Sequence, residues 1–195
     1  MKTFATSWRS LSLCLILTLA VALPACGQKA VPTAEKITLE HSGLSNLYKI
    51  DDGVYRSEQP EAADFRALQK LGIKEVLNLR RFHSDDDEAT GTTLRLHRLK
   101  TRAGALSEDD LVAALRLIKN RQGPILIHCH HGSDRTGAVC AMYRVVFQGM
   151  SKDDAIREMT QGGFGFHGIY RNIIRLIEKI DVESVKDKLG LKAAA

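Results

Sequence analysis

The sequence predicts an α/β domain with a central, mostly parallel sheet flanked by helices. Three observations carry that expectation. Strand-like and helix-like patterns alternate from residue 46 to residue 180, the order that builds parallel sheets through helical crossovers. Ile125-Leu126-Ile127 is an unbroken apolar run, as in a central strand covered on both faces. Ser107-Glu108-Asp109-Asp110 and Ser151-Lys152-Asp153-Asp154 each open an amphipathic stretch, and Ser-x-x-Asp at that place marks a helix start.

The elements follow in chain order. Residues 46–50 and 54–56 are short strands joined by Asp51-Asp52-Gly53, a hairpin signal. Pro60 and Glu61 open a helix with Ala62, Phe65, Leu68 and Leu71 on one face, and Gly72 ends it. Residues 73–79 alternate like a strand. A polar stretch, 80–93, carries Asp85-Asp86-Asp87-Glu88 and is expected as a solvated loop. Residues 94–99 alternate strictly, as a strand with one wet face does. Ser107 then caps a helix with Leu111, Leu115 and Ile118 as its buried stripe, stopped by Gly123-Pro124. Residues 136–147 form a buried apolar helix, 152–160 a second capped helix and 169–180 a third. Gln161-Gly162-Gly163-Phe164-Gly165 reads as a mobile loop, either a connection or part of a site mouth. The folded domain is expected over 41–182, with a tether over 26–40 and a fraying tail over 183–195.

Composition limits the function classes. The net charge is +5, and Lys2 and Arg9 lie in a segment expected to be removed. No basic run interleaved with aromatics supports nucleic-acid binding, so no nucleic acid is expected as a partner. Lys2 and Arg9 precede the apolar run 11–23, which is too short for a comfortable membrane span. Leu23-Pro24-Ala25-Cys26-Gly27 follows and resembles a bacterial lipoprotein signal, which implies cleavage before Cys26 and lipidation of its sulfur. Ordinary cleavage after Ala22 and an uncleaved anchor helix are the alternatives. All three readings place the domain outside the cytoplasm, and lipidation makes it a periplasmic, membrane-anchored lipoprotein; a monomer is expected. Cys129 and Cys140 are the two cysteines left for the domain, fewer than a disulfide framework uses. Cys140 is expected one helical turn on, facing the core.

The chemistry lies in His128-Cys129-His130-His131-Gly132-Ser133-Asp134-Arg135-Thr136-Gly137. This stretch leaves the most hydrophobic strand and enters the apolar helix. Such a loop turns successive backbone N–H groups into one concavity, and the helix N-terminus adds partial positive charge. Cys129 sits at the strand end, where cationic and helix-terminal surroundings favour the nucleophilic thiolate. Arg135 can curl back and hold two phosphate oxygens with its planar fork. Gly132 lets the backbone turn without a Cβ. The Thr136 hydroxyl is placed to donate to the sulfur, and His128 to fix the loop from behind. The adjacent His128, Cys129, His130 and His131 cannot easily converge on one ion, so no metal and no cofactor is expected. His83, His97 and His167 show no partner in the sequence and read as surface or packing residues.

His-Cys-x5-Arg-Thr-Gly resembles the phosphate loop of protein tyrosine and dual-specificity phosphatases. Tyr55-Arg56-Ser57 with Pro60, Gly123-Pro124, Met142-Tyr143-Arg144 and Gly162-Gly163-Phe164-Gly165 narrow the resemblance. They point to the small atypical dual-specificity phosphatases, above all the periplasmic tyrosine phosphatases of Gram-negative bacteria. The resemblance covers roughly 47–164. It implies a small dual-specificity-phosphatase-like domain, a cysteinyl-phosphate intermediate and no metal. Cys129 and Arg135 match the family's essential pair. Phosphate falls to His130, His131, Gly132, Ser133, Asp134, Arg135 and Thr136. The family also supplies an aspartate that protonates the leaving oxygen, on the loop before the helix leading to the catalytic strand. Here that loop, 100–106, has no acid, and Gly104 stands about where one is expected. Candidates are Asp109 foremost, then Glu108, Asp110, Asp85, Asp86, Asp87 and Asp134.

The expected substrates are phosphotyrosine and phosphoserine or phosphothreonine on proteins. Small phosphorylated metabolites such as inositol phosphates are a second reading, disfavoured by the acidic Asp134. A low-turnover phosphate-binding module is a third.

Overall fold

The computed structural model describes residues 33–40 and 42–191. The chain runs β1 (Glu35–Lys36), β2 (Tyr48–Asp51), β3 (Val54–Ser57), α1 (Ala62–Leu71), β4 (Glu75–Arg80) and β5 (Arg95–Thr101). A short 3-10 turn (Ala103–Ala105), α2 (Glu108–Lys119), β6 (Ile125–His128), α3 (Asp134–Gln148), α4 (Lys152–Gln161), α5 (Arg171–Lys179) and α6 (Val182–Lys188) follow. The six strands make one sheet in the order β1-β2-β3-β6-β4-β5. The β1-β2-β3 side is antiparallel, whereas β3, β6, β4 and β5 run parallel.

The alternation of side chains across the strands divides the core in two. In β6, Ile125 and Ile127 face the side covered by α2 to α6, while Leu126 faces α1. In β4, Leu77 and Leu79 join the first cluster and Val76 the second. Phe65 and Leu68 of α1 are fully buried there, each worth on the order of 1.5–3 kcal/mol. β6 is buried at all four residues because it is central and covered on both faces. Its neighbour β4 is buried through five of six, so its apparent alternation does not mark a wet face. The β2–β3 turn closes through Asp51 Oδ1, which accepts from the Gly53 N–H at 2.9 Å. Gly72 caps α1 at φ 103°, where a Cβ is disfavoured.

Both flanks differ from expectation. Glu35 and Lys36, expected in the tether, pair antiparallel with Lys49 and Tyr48, and Ile37 and Leu39 pack on the α1-side core. The expected tail beyond 182 forms α6. Asp181 caps it by accepting from the Glu183 and Ser184 N–H groups, and Val185 and Leu189, one turn apart, are buried. The expectations for residues 1–25 and for lipidation of Cys26 lie outside the described residues. No helix of the described residues is long and apolar enough to cross a membrane.

Candidate active site

The parallel strands β3 and β6 end in register, with Ser57 and Asn78 flanking His128, and β4 runs on to Arg80. Sites in open α/β sheets form beyond the carboxyl ends of such strands. Cys129 is the next residue, 1% exposed, and the chain then turns through Gly132 into α3. Gly132 has φ 69°, and a Cβ there would come within 2.5 Å of the Ser57 carbonyl carbon and oxygen. The left-handed backbone and this close approach both require glycine.

Three successive carbonyls of the loop are drawn outward. His130 O accepts from the Gln59 N–H at 3.1 Å. His131 O accepts from Asn46 Nδ2 at 2.9 Å and Ser133 Oγ at 3.2 Å. Gly132 O accepts from Arg56 Nη2 at 2.6 Å. A trans peptide points its N–H opposite to its carbonyl, so this scaffolding turns the N–H groups of His131, Gly132 and Ser133 to the other side. Among the described residues, the backbone N–H groups of His130 to Thr136 find no acceptor in the protein. The start of α3 has no side-chain cap either, because the Ser133 hydroxyl is spent on Phe164 O at 2.8 Å. A nest of open N–H groups at a helix N-terminus above a buried thiol is an anion cradle.

Cations surround it. Arg135 donates from Nη1 to Leu79 O at 3.1 Å, which holds its guanidinium against the end of β4. Arg80, held by Gln59 Oε1 at 2.9 Å, feels the charges of both Arg135 and Cys129. Arg56 is fully buried and forms no salt bridge among the described residues. Burial lowers its pKa, and Cys140, Cys129 and Glu158 push the other way. Its guanidinium lies 3.8 Å from the Phe164 ring centre, a cation–π contact that offsets part of the desolvation. The Thr136 hydroxyl is buried without a partner. No acceptor among the described residues, the Cys129 sulfur included, takes its proton.

Behind the loop, His128 Nε2 meets Asp85 Oδ2 at 2.8 Å, both fully or nearly buried. Asp85 Oδ1 accepts from Gln59 Nε2 at 2.9 Å. Asp85 is therefore not in a solvated loop: His128 and Gln59 draw it in, and it positions His128. His128 stands where the sequence places it, behind the cradle. Cys140 is buried on α3 as expected, and burial pushes its thiol up to about 11. The His130 pKa lies below its ordinary value because of burial, with His131, Arg80 and Arg135 adding to the effect.

The candidate acids separate. Asp110 completes the capping box of α2 with Ser107. Asp86 accepts from Ser84. Asp134 is 5% exposed, and its carboxylate is taken by His167, through the backbone N–H and Nδ1, both at 2.9 Å. Its side chain thus faces His167 and not a bound phosphate, which leaves its backbone N–H for the cradle. Asp109 is exposed on the first turn of α2, where it feels the charge of Lys188 on α6. No hydrogen bond joins it to the loop among the described residues. The loop 100–106 holds the 3-10 turn, pinned by Asn172 Nδ2 to Ala103 O at 2.8 Å. The three histidines without an apparent partner each have an acid: Glu88 for His83, Glu75 for His97 and Asp134 for His167.

Of these supports, Arg56 was visible only within Tyr55-Arg56-Ser57, without a role, and Asn46, Gln59 and Arg80 were not singled out from sequence. Gln59 and Arg80 lie next to or at the carboxyl ends of β3 and β4, and Asn46 just before β2. The loop after α4 is not a loose connection: Phe164 is 3% exposed and joins Arg56, Ser133 and Asn46 to the cradle.

The family model described as "Tc-R-P: Polymorphic toxin system, DSP-PTPase phosphatase" matches residues 51–149. The chain belongs to the DSP-PTPase phosphatase family. Within it, the chain is 37% identical over 145 residues to the dual specificity protein phosphatase TpbA of Pseudomonas aeruginosa. That stretch is 72% of this chain and 65% of TpbA, a little under two thirds of the relative's length. The crystal structure of P. aeruginosa TpbA superimposes with a TM-score of 0.72 at 31% identity, over 81% of this chain and 96% of that one. A cysteine-to-serine form of TpbA in complex with pTyr matches equally well. A second relative, the inositol diphosphatase DSP3 of Arabidopsis thaliana, is 27% identical over 154 residues, 74% of each chain.

Proposed function

We propose that the chain is an exported, cysteine-dependent phosphatase that hydrolyses phosphate monoesters, with phosphotyrosine and phosphoserine or phosphothreonine on proteins as its substrates. The observation that carries this reading is the cradle itself: unpartnered N–H groups from His130 to Thr136 above the buried Cys129 thiol. Cys129 Sγ as thiolate attacks phosphorus, the phosphorus–oxygen bond to the leaving group breaks, and a cysteinyl-phosphate forms. Water then attacks phosphorus, the sulfur departs and inorganic phosphate is released. The open N–H groups stabilise charge on the transferring oxygens. Arg135 leaves the Leu79 carbonyl to grip two of them. The Thr136 hydroxyl donates to the departing sulfur. Asp109 stays the acid assigned to the leaving oxygen, and it must approach the loop when substrate binds. Asp109→Ala assayed on an ester with a poor leaving group tests that assignment.

Two findings support protein substrates: a relative named as a dual specificity protein phosphatase, and the pTyr complex of its cysteine-to-serine form. Export and membrane attachment rest on the N-terminal pattern of residues 1–26. Inositol phosphates are the second reading. The inositol diphosphatase relative favours it, as does the placement of Arg80 beside Arg135 with Asp134 engaged by His167. Side-by-side turnover of a phosphotyrosine peptide and an inositol pyrophosphate decides between them. Higher kcat/KM on the peptide is expected, and preference for the inositol pyrophosphate, whose scissile bond is a phosphoanhydride, would replace the first reading with the second. Capture of the peptide by Cys129→Ser, beside turnover by the unmodified chain, would exclude a mere binding module.

A further inference from the structure

Three side chains of metal-ligand type meet where the phosphate loop adjoins the segment after α4. His131, Asp134 and His167 each bring one ligand atom to within 4.8 Å of the others. We propose that they form a binding site for a first-row transition-metal dication, with zinc the best match, which ties the phosphate loop to the segment after α4. The ligand set is two imidazoles and a carboxylate, the nitrogen–oxygen combination that zinc takes with a solvent position left open.

The distances are those of a site close to assembled. His167 Nδ1 and Asp134 Oδ2 stand 2.9 Å apart. Two ligands at about 2.0–2.2 Å from one ion are separated by roughly 2.9–3.5 Å at right-angled to tetrahedral geometry. An ion can therefore replace the proton that His167 and Asp134 share, without moving either backbone. Asp134 Oδ1 is held separately by the His167 N–H at 2.9 Å, a second contact that orients the carboxylate and leaves Oδ2 for the ion. The third ligand has the freedom to close in: His131 is exposed, and its ring centre lies 5.1 Å from that of His167.

The scaffold does not need the ion to hold the two sides together. Asn46 Nδ2 bridges His131 O and Phe164 O, and Ser133 Oγ reaches Phe164 O. The ligands are thus brought together by bonds that the ion neither makes nor breaks, so little ordering cost falls on metal binding. The sequence argues against a metal because the adjacent histidines cannot easily converge on one ion and no spaced pair such as His-x3-His accompanies them. His167, thirty-odd positions along the chain, supplies the spacing that was missing.

The test is calorimetric titration of ZnCl2 into the untagged full chain carrying Cys14→Ser, Cys26→Ser and Cys129→Ser, so that those thiols cannot bind the ion. One zinc per chain is expected. Affinity is expected to fall by about tenfold or more when His131→Asn or His167→Asn is added, with the far-ultraviolet circular dichroism unchanged. Absence of saturable binding, or equal affinity in parent and variants, would overturn the site. Amide NMR shifts of the parent on zinc addition guard against a variant that fails to fold. Shifts centred on His131, Asp134 and His167 support the proposal, and shifts centred elsewhere refute it. No turnover is measured, so the result stands apart from the phosphatase reading.

Discussion

Replacing Asp85 by alanine strands His128. The carboxylate is 3% exposed and the imidazole 0%, and Asp85 Oδ2 is the partner of His128 Nε2 at 2.8 Å. A buried donor left without a partner costs about 1–3 kcal/mol. Gln59 Nε2 also loses Asp85 Oδ1 but keeps Pro60 O at 3.1 Å, so its share is smaller, within about 1 kcal/mol. The sum, about 1–4 kcal/mol, lowers the urea midpoint by roughly 0.5–2 M for a domain of this size. Activity separates positioning from proton donation. If Asp85 positions His128 and the cradle, kcat falls by the same factor for p-nitrophenyl phosphate and for an alkyl phosphate. A loss of about 10²–10⁴ confined to the alkyl ester, with stability intact, would make Asp85 the general acid and refute the positional role. The pH dependence has a definite sign. Burial pushes the Asp85 carboxyl up, but the His128 hydrogen bond and charge, with bonds from Gln59 and Asn78, outweigh it and hold the carboxyl below its usual range. A carboxylate held low stabilises the fold fully at neutral pH, and that contribution is lost on acidification below about pH 4. Asp85→Asn is expected to flatten that acid limb in urea unfolding followed from pH 7 to pH 3.

Arg56→Met removes the 2.6 Å bond to Gly132 O and the cation over Phe164. A charged hydrogen bond worth about 1.5–3 kcal/mol predicts a ten- to hundredfold drop in kcat/KM with faster exchange of the Gln59 and Gly137 amides, which donate to His130 O and Ser133 O; unchanged exchange would show that Arg56 does not hold the loop. At Gly104 a Cβ meets nothing within 4 Å, so Gly104→Asp is tolerated. If the loop 100–106 is where the family acid belongs, that variant speeds alkyl-phosphate hydrolysis about tenfold or more and leaves aryl esters unchanged; equal rates on both esters would place the acid elsewhere. Burial pushes the Cys140 thiol to about 11, so iodoacetamide at pH 7.5 is expected to spare it and to label Cys129, with inorganic phosphate protecting. Peptide mapping that finds the label on Cys140 would contradict this.

The fold was legible where local signals and burial agreed. The Asp-Gly turn gave the hairpin, Gly72 the end of α1, Ser107 and Ser151 the helix starts, and the run at Ile125 the central strand. The flanks were not legible: two paired residues make β1, and α6 depends on burying Val185 and Leu189 against a core assembled from distant segments. In the site, Cys129, Gly132 and Arg135 stood out because the motif is contiguous. Asp85 did not, since a run of four acids resembles a solvated loop until a buried histidine is brought beside it. Asp134 and His167 lie 33 residues apart, and nothing local to either discloses the other. Arg56 was visible as part of Tyr55-Arg56-Ser57, but its role was not, because an exposed place is the ordinary expectation for an arginine in a short strand.

The central claim is that Cys129 is a nucleophile in a phosphate cradle. It is tested most directly by p-nitrophenyl phosphate hydrolysis under reducing conditions, with the unmodified chain and Cys129→Ser side by side. The account predicts turnover that persists in EDTA, stops with vanadate and is absent from a folded Cys129→Ser variant. Turnover retained by that variant, or none from the unmodified chain, would contradict it.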